Sequence, residues 1–130
     1  MPTMTEFIES SDIVRSNIKK AQRATEILIA GSTDVQKVIL FGSTAKNTAT
    51  PESDIDLVVS MSGSLNRRVA YTKAIVEELE RQGFRVDLEF NKDKFTGPRN
   101  GALNLGIFGR ESDFPEDAIT QGIVLFRKQK

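Results

Sequence analysis

Asp54-Ile55-Asp56 sets two carboxylates one residue apart at the head of a partly alternating run that continues to Met61. Along a strand that spacing puts both carboxylates on one face, while Ile55 anchors the other face in a core. Adjacent carboxylates repel unless they are hydrogen-bonded, protonated or neutralised by a cation. The chain has no histidine and no cysteine. The natural neutraliser is therefore an oxygen-bound divalent cation, Mg2+ by preference with Mn2+ as a substitute. Ten residues separate this pair from Gly42-Ser43, which closes the unbroken apolar run Val38-Ile39-Leu40-Phe41. A strand that ends in Gly-Ser and turns into a helix offers backbone N–H groups and a hydroxyl to a phosphate, helped by the helix dipole. Lys46 adds a positive charge in the same turn. There is no second Gly-Lys-Ser/Thr element, so this is not a P-loop. Ser43 has no base to activate it, and phosphate binding suffices as its role.

A third carboxylate on a neighbouring strand would complete a two-metal phosphoryl-transfer site. Asp87, between Val86 and Leu88, meets the requirement, and Glu89 on the same polar face is the reserve. Neither motif stands alone. The chain holds eight Asp, and Gly31-Ser32 and Gly63-Ser64 also occur, most simply as helix boundaries. Only Gly42-Ser43 has both the preceding apolar strand and the right distance to the carboxylate pair.

The elements that must position these residues are legible from periodicity. A helix is expected from about Asp12 to Ala30, with Val14, Ile18, Ala21, Thr25 and Leu28 on one side. Ser10 or Ser11 would cap it, Gly31 would stop it, and Phe7 and Ile8 either extend it or pack against it. Val38 to Phe41 reads as a strand buried on both faces, and Asp54 to Met61 as a second strand. A helix over roughly Leu65 to Gln82 carries the stripe Leu65, Val69, Thr72, Val76 and Leu79, expected to be core packing. Phe84 to Phe90 alternates cleanly and predicts a strand. Asn91 to Arg110 is rich in Gly and Pro and is expected to be a loop with at most a short helix. In it Lys92, Lys94 and Arg99 read as solvated in preference to touching an acceptor, and Phe95 and Phe108 either stack a base or pin the loop. Pro115 to Gln121 suits a short helix, and Ile123 to Phe126 a last strand. The order implies an α/β (α+β) fold, one domain over residues 1–130 with a mixed sheet flanked by helices.

Composition narrows the chemistry. Eighteen Lys+Arg balance eighteen Asp+Glu among 130 residues, which disfavours nucleic acid as a partner without excluding a local basic groove. Without Cys or His, thiolate catalysis, Cys/His zinc sites and a Ser-His-Asp triad are excluded. No apolar run approaches a membrane span and no export signal is evident, so a cytoplasmic protein is expected.

The stretch Leu40-Phe41-Gly42-Ser43, ten residues, then Asp54-Ile55-Asp56-Leu57-Val58-Val59 resembles the signature of the DNA polymerase beta-like nucleotidyltransferase superfamily, in particular its minimal nucleotidyltransferase (MNT) branch. The likeness is good over roughly residues 35–90. It is looser over Ala118 to Phe126, where the branch has a closing helix and strand. The resemblance implies that Gly42 and Ser43 hold the phosphates of a nucleoside triphosphate. It implies too that Asp54, Asp56 and Asp87 bind Mg2+ and catalyse transfer of a nucleoside monophosphate, ATP being the default donor, to an acceptor hydroxyl with release of pyrophosphate. Where the branch commonly has Arg-Gly, this chain has Lys46-Asn47, which keeps the charge without bidentate geometry. Minimal nucleotidyltransferases are frequently encoded beside a helical HEPN-domain partner. The resemblance thus implies either AMPylation of such a partner or an antitoxin-like module that neutralises it by complex formation. A second copy of the chain could equally complete a half-open site. A protein acceptor is expected first and a small molecule second.

Overall fold

The computed structural model describes residues 4–46, 53–89 and 101–129, with the side chains of 4–11 left aside. Helix α1 (Met4–Ala30) is followed by β1 (Val35–Phe41), β2 (Ile55–Met61), α2 (Leu65–Arg81), β3 (Val86–Leu88), β4 (Leu103–Phe108), α3 (Glu116–Gln121) and β5 (Ile123–Arg127). The five strands form one mixed sheet in the order β3-β4-β2-β1-β5. β1 runs antiparallel to β2 and β5, whereas β4 runs parallel to both β2 and β3.

α1 begins earlier than the serines predict. It runs through Ser10 and Ser11, because nothing between Met4 and Ala30 is Gly or Pro. Its inner face buries Val14, Ala21, Ala24, Thr25 and Leu28. α2 starts at Ser64, whose Oγ accepts the Arg67 N–H at 3.2 Å. The face α2 buries differs from the expected stripe. Tyr71, Ile75 and Leu79 enter the core, while Leu65 and Val69 stay 63% and 60% exposed. Leu79, the last residue of the expected stripe, is buried as expected, and the Tyr71 hydroxyl donates to Leu28 O at 2.6 Å, tying α2 to the end of α1.

Both helices cover one face of the sheet, where Val38, Leu40, Ile55, Leu57, Val59, Leu103 and Leu105 meet them. The opposite face carries a smaller cluster of Ile39, Phe41, Val58, Phe108, Phe114 and Ala118. The region expected to be a loop supplies β4. Leu103 and Leu105 alternate into the main core, and Gly106 lies beside Val58 in the sheet interior. Phe108 is buried edge-on against Phe114, with ring centroids 5.7 Å apart, and so packs instead of offering a stacking surface. β3 is shorter than the predicted strand. Phe90, Lys92, Lys94, Phe95 and Arg99 lie outside the described residues. Among the described residues no helix is long and apolar enough to cross a membrane.

Candidate active site

β2 enters the sheet with its first carboxylates already gripped by β4. The Ile55 N–H donates to Ala102 O at 3.0 Å, and the Ala102 N–H donates to Asp54 Oδ1 at 3.0 Å. Asn104 Nδ2 then donates to Asp54 Oδ2 at 3.0 Å and to Asp56 Oδ1 at 2.8 Å. Asp54 is buried and Asp56 half-buried. Alternation places both on the face away from α1 and α2, at the mouth of the smaller cluster.

The Gly-Ser turn meets the same carboxylates. Gly42 has φ +77°, and a Cβ there would collide with Asp56 Oδ2. Only glycine tolerates that backbone while letting a carboxylate pack onto the turn. The following residues form one turn closed by the Lys46 N–H on Gly42 O at 3.1 Å. Thr44, 1% exposed, is held from α1 by Asn17 Nδ2 at 3.3 Å. The two motifs read separately in sequence are thus in contact: the Gly-Ser turn and the carboxylate pair share one surface.

The electrostatics follow from burial. Desolvation pushes the Asp56 carboxyl up from 3.8 to about 6; the Asn104 hydrogen bond opposes this, while the charges of Asp54 and Glu89 add to it. All the donors at this surface are hard oxygens. Two carboxylates leave most of an octahedral shell to phosphate and water oxygens, which fits Mg2+ carried in with a polyphosphate. On the helix side of the same sheet end a cleft of about 190 Å³ is lined by Asn17, Lys20, Arg23, Ser53 and Arg85, with no carboxylate among its described lining residues.

The expected third carboxylate is not beside the pair. Register across the sheet aligns Phe41, Asp56, Asn104 and Asp87 in one row, so β4 stands between Asp56 and Asp87. Two strand spacings separate their backbones by roughly 10 Å. Among the described residues no three of His, Cys, Asp and Glu are close enough to hold a metal ion. Glu89, 5% exposed, is the further carboxylate that acts electrostatically on Asp56. Lys46 is drawn away from a purely phosphate-facing role by Asp117 of α3, 3.0 Å from its Nζ. Asn104, Asn17 and Thr44 were not visible as site residues in the sequence. For Asn104 the signal was there: a polar residue alternating with Leu103 and Leu105, as Asp54 and Asp56 alternate with Ile55 and Leu57.

The nucleotidyltransferase domain family matches residues 15–108. No curated protein matches the sequence. A solved structure from Sulfolobus solfataricus, described as that of a candidate nucleotidyltransferase, is similar with TM-score 0.59 and 16% identity, over 94% of this chain and 90% of the other. A toxin-antitoxin structure with AMP-PNP has TM-score 0.48 and 18% identity, over 83% of this chain and 74% of the other. A mutant of the toxin-antitoxin MntA-HpeT has TM-score 0.49 and 16% identity, over 84% and 74%. The first of these likenesses is one of fold.

Proposed function

The chain belongs to the nucleotidyltransferase domain family, and we propose that residues 1–130 form one unit transferring a nucleoside monophosphate from a triphosphate, ATP by default, to an acceptor hydroxyl. The observation that carries this reading is the packing of Asp56 onto the Gly42 turn while Asn104 holds Asp56 beside Asp54. Phosphates seated on Gly42 and Ser43 would lie directly over the carboxylate pair. Asp54 and Asp56 would hold Mg2+, which supplies charge neutralisation as the bond to pyrophosphate breaks. The basic cleft lined by Lys20, Arg23 and Arg85 lies on the helix side of the sheet, away from the carboxylate pair, and Arg23 there donates to Gln82 O at 2.9 Å. Glu89, or Asp87 one strand beyond Asn104, would accept the proton of the acceptor hydroxyl. Catalysis would be mostly positioning and charge stabilisation. Incubation with α-labelled ATP, Mg2+ and candidate acceptor proteins should transfer label, and Asp54→Asn or Asp56→Asn should abolish transfer. Undiminished transfer by both variants would overturn the reading.

One observation favours a second reading, an antitoxin-like module that binds a HEPN-type helical partner. α2 leaves Leu65, Val69 and Val76 beside Leu88, Ile107 and Phe108 in a groove of about 630 Å³. Leu65 and Val69 stand more than half exposed at its rim, where an apolar helix could cover them. A partner complex that survives Asp54→Asn but is lost in Val69→Asp would favour binding over transfer.

A further inference from the structure

The position across from Asp56 on the adjacent strand, where a third charge would sit closest to the pair, holds an amide. Asn104 is 3% exposed, and its Nδ2 bridges Asp54 Oδ2 and Asp56 Oδ1. Two carboxylate acceptors fix which end of the amide faces them. Its Oδ1 is consequently buried with no hydrogen-bond partner among the described residues. Orphaned buried oxygens are uncommon in native proteins; this one sits on the end of the amide turned away from the carboxylates and reaches a cation between them only when the amide turns over.

We propose that Asn104 is the third arm of the metal site: its NH2 group holds Asp54 and Asp56 together without a cation, and its Oδ1 becomes an oxygen ligand when a divalent cation enters. This rests on the metal-binding role proposed for Asp54 and Asp56. A half-turn about the terminal side-chain torsion exchanges Nδ2 and Oδ1 with almost no change of shape, and that torsion is soft. A cation between the carboxylates repels the N–H donors and attracts the carbonyl oxygen, a normal ligand for hard cations. The amide therefore does two jobs that a third aspartate could not. It offsets part of the repulsion of the pair before metal arrives, and it adds no further negative charge beside it. Free cation then binds weakly, and tight binding waits for the extra oxygens of the triphosphate.

The test is Mn2+ alone, without nucleotide, titrated into wild type, Asn104→Asp and Asp54→Asn and followed by the paramagnetic resonance of free Mn2+. Asn104→Asp should bind Mn2+ at least tenfold more tightly than wild type, and its melting temperature should be lower in EDTA and recover on adding Mn2+. Should it be unfolded in EDTA, Mn2+ should restore its circular dichroism, and failure to do so overturns the proposal. A folded Asn104→Asp with wild-type Mn2+ affinity overturns it as well. Asp54→Asn separates the two levels. If it loses Mn2+ binding while Asn104→Asp behaves as wild type, the role of Asn104 alone is wrong. If it binds Mn2+ as wild type does, the metal reading itself fails.

Discussion

Replacing Asp56 by Asn should stabilise the metal-free protein at neutral pH, and by an amount that depends on pH in a defined direction. The folded-state carboxyl titrates at about 6 against 3.8 for the free group, chiefly because burial strips its water. The folded state therefore holds this proton more tightly than the unfolded state does. Its contribution to stability is complete below about pH 3.8 and is lost as pH rises to about 6 and beyond. At roughly 1.4 kcal/mol per pH unit the loss approaches about 3 kcal/mol, an upper bound because Asp56 keeps some contact with solvent. Asparagine keeps an oxygen for the Asn104 N–H and has no charge to bury. In EDTA the variant should match wild type near pH 3.5 and melt on the order of 10 °C higher near pH 7.5. Thermal melts of both proteins across that range, by circular dichroism, measure the difference directly. A difference independent of pH, or a variant less stable than wild type at pH 7.5, would refute the idea that the ionised pair is strained without a cation.

Other substitutions probe the parts separately. Gly42→Ala should lose about 1–2 kcal/mol from its positive φ and, by displacing Asp56, should abolish stabilisation by Mg2+ with ATP. Gly83→Ala, at φ +98° with nothing within 4 Å, should show the backbone cost alone. Val69→Ser on the exposed side of α2 should change stability by less than about 0.5 kcal/mol, whereas Ile75→Ala on its buried side should cost about 2–4 kcal/mol by chemical denaturation. Lys46→Met breaks an exposed ion pair worth under about 1 kcal/mol, so its melting temperature should barely move. If Lys46 also meets phosphate, its ATP affinity should fall about tenfold, and unchanged affinity would assign the lysine to Asp117 alone.

Much of this architecture is written in local periodicity. The strands expected over Val38 to Phe41 and Asp54 to Met61 are found as β1, which begins earlier at Val35, and β2, which begins at Ile55, because each run's burial pattern is set by its own side chains. What escaped was non-local. α2 carries apolar residues on two faces, and the face it buries packs Tyr71, Ile75 and Leu79 on the main core, with Tyr71 bonded to Leu28, forty-three residues away. β4 was hidden by Gly101, Gly106 and Gly109, turn formers by local rule, although Gly106 is paired in the sheet beside Val58. Without β4 the strand of Asp87 was expected beside that of the pair, whereas β4 lies between them. The sequence order β2, α2, β3 suggests neighbouring parallel strands, but β4 inserts between them and brings Asn104 to the carboxylate pair instead. The two motifs themselves, Gly42-Ser43 and Asp54-Ile55-Asp56, were legible; their contact through Gly42 and Asp56 needed the fold.

In the proposed reaction the Gly42 turn and the Asp54–Asp56 pair together would take a metal-bound triphosphate. Its most direct test is the melting temperature with Mg2+ alone, ATP alone and both together. Because Mg2+ prefers to complete its shell with phosphate oxygens, neither ligand alone should shift the transition much. Together, at about a hundredfold excess over the dissociation constant, they should add about 2.7 kcal/mol, a shift on the order of 10 °C. In the Asp54→Asn/Asp56→Asn double variant that synergy should vanish while the fold persists. Additive shifts in wild type, or full synergy in the double variant, would contradict the account.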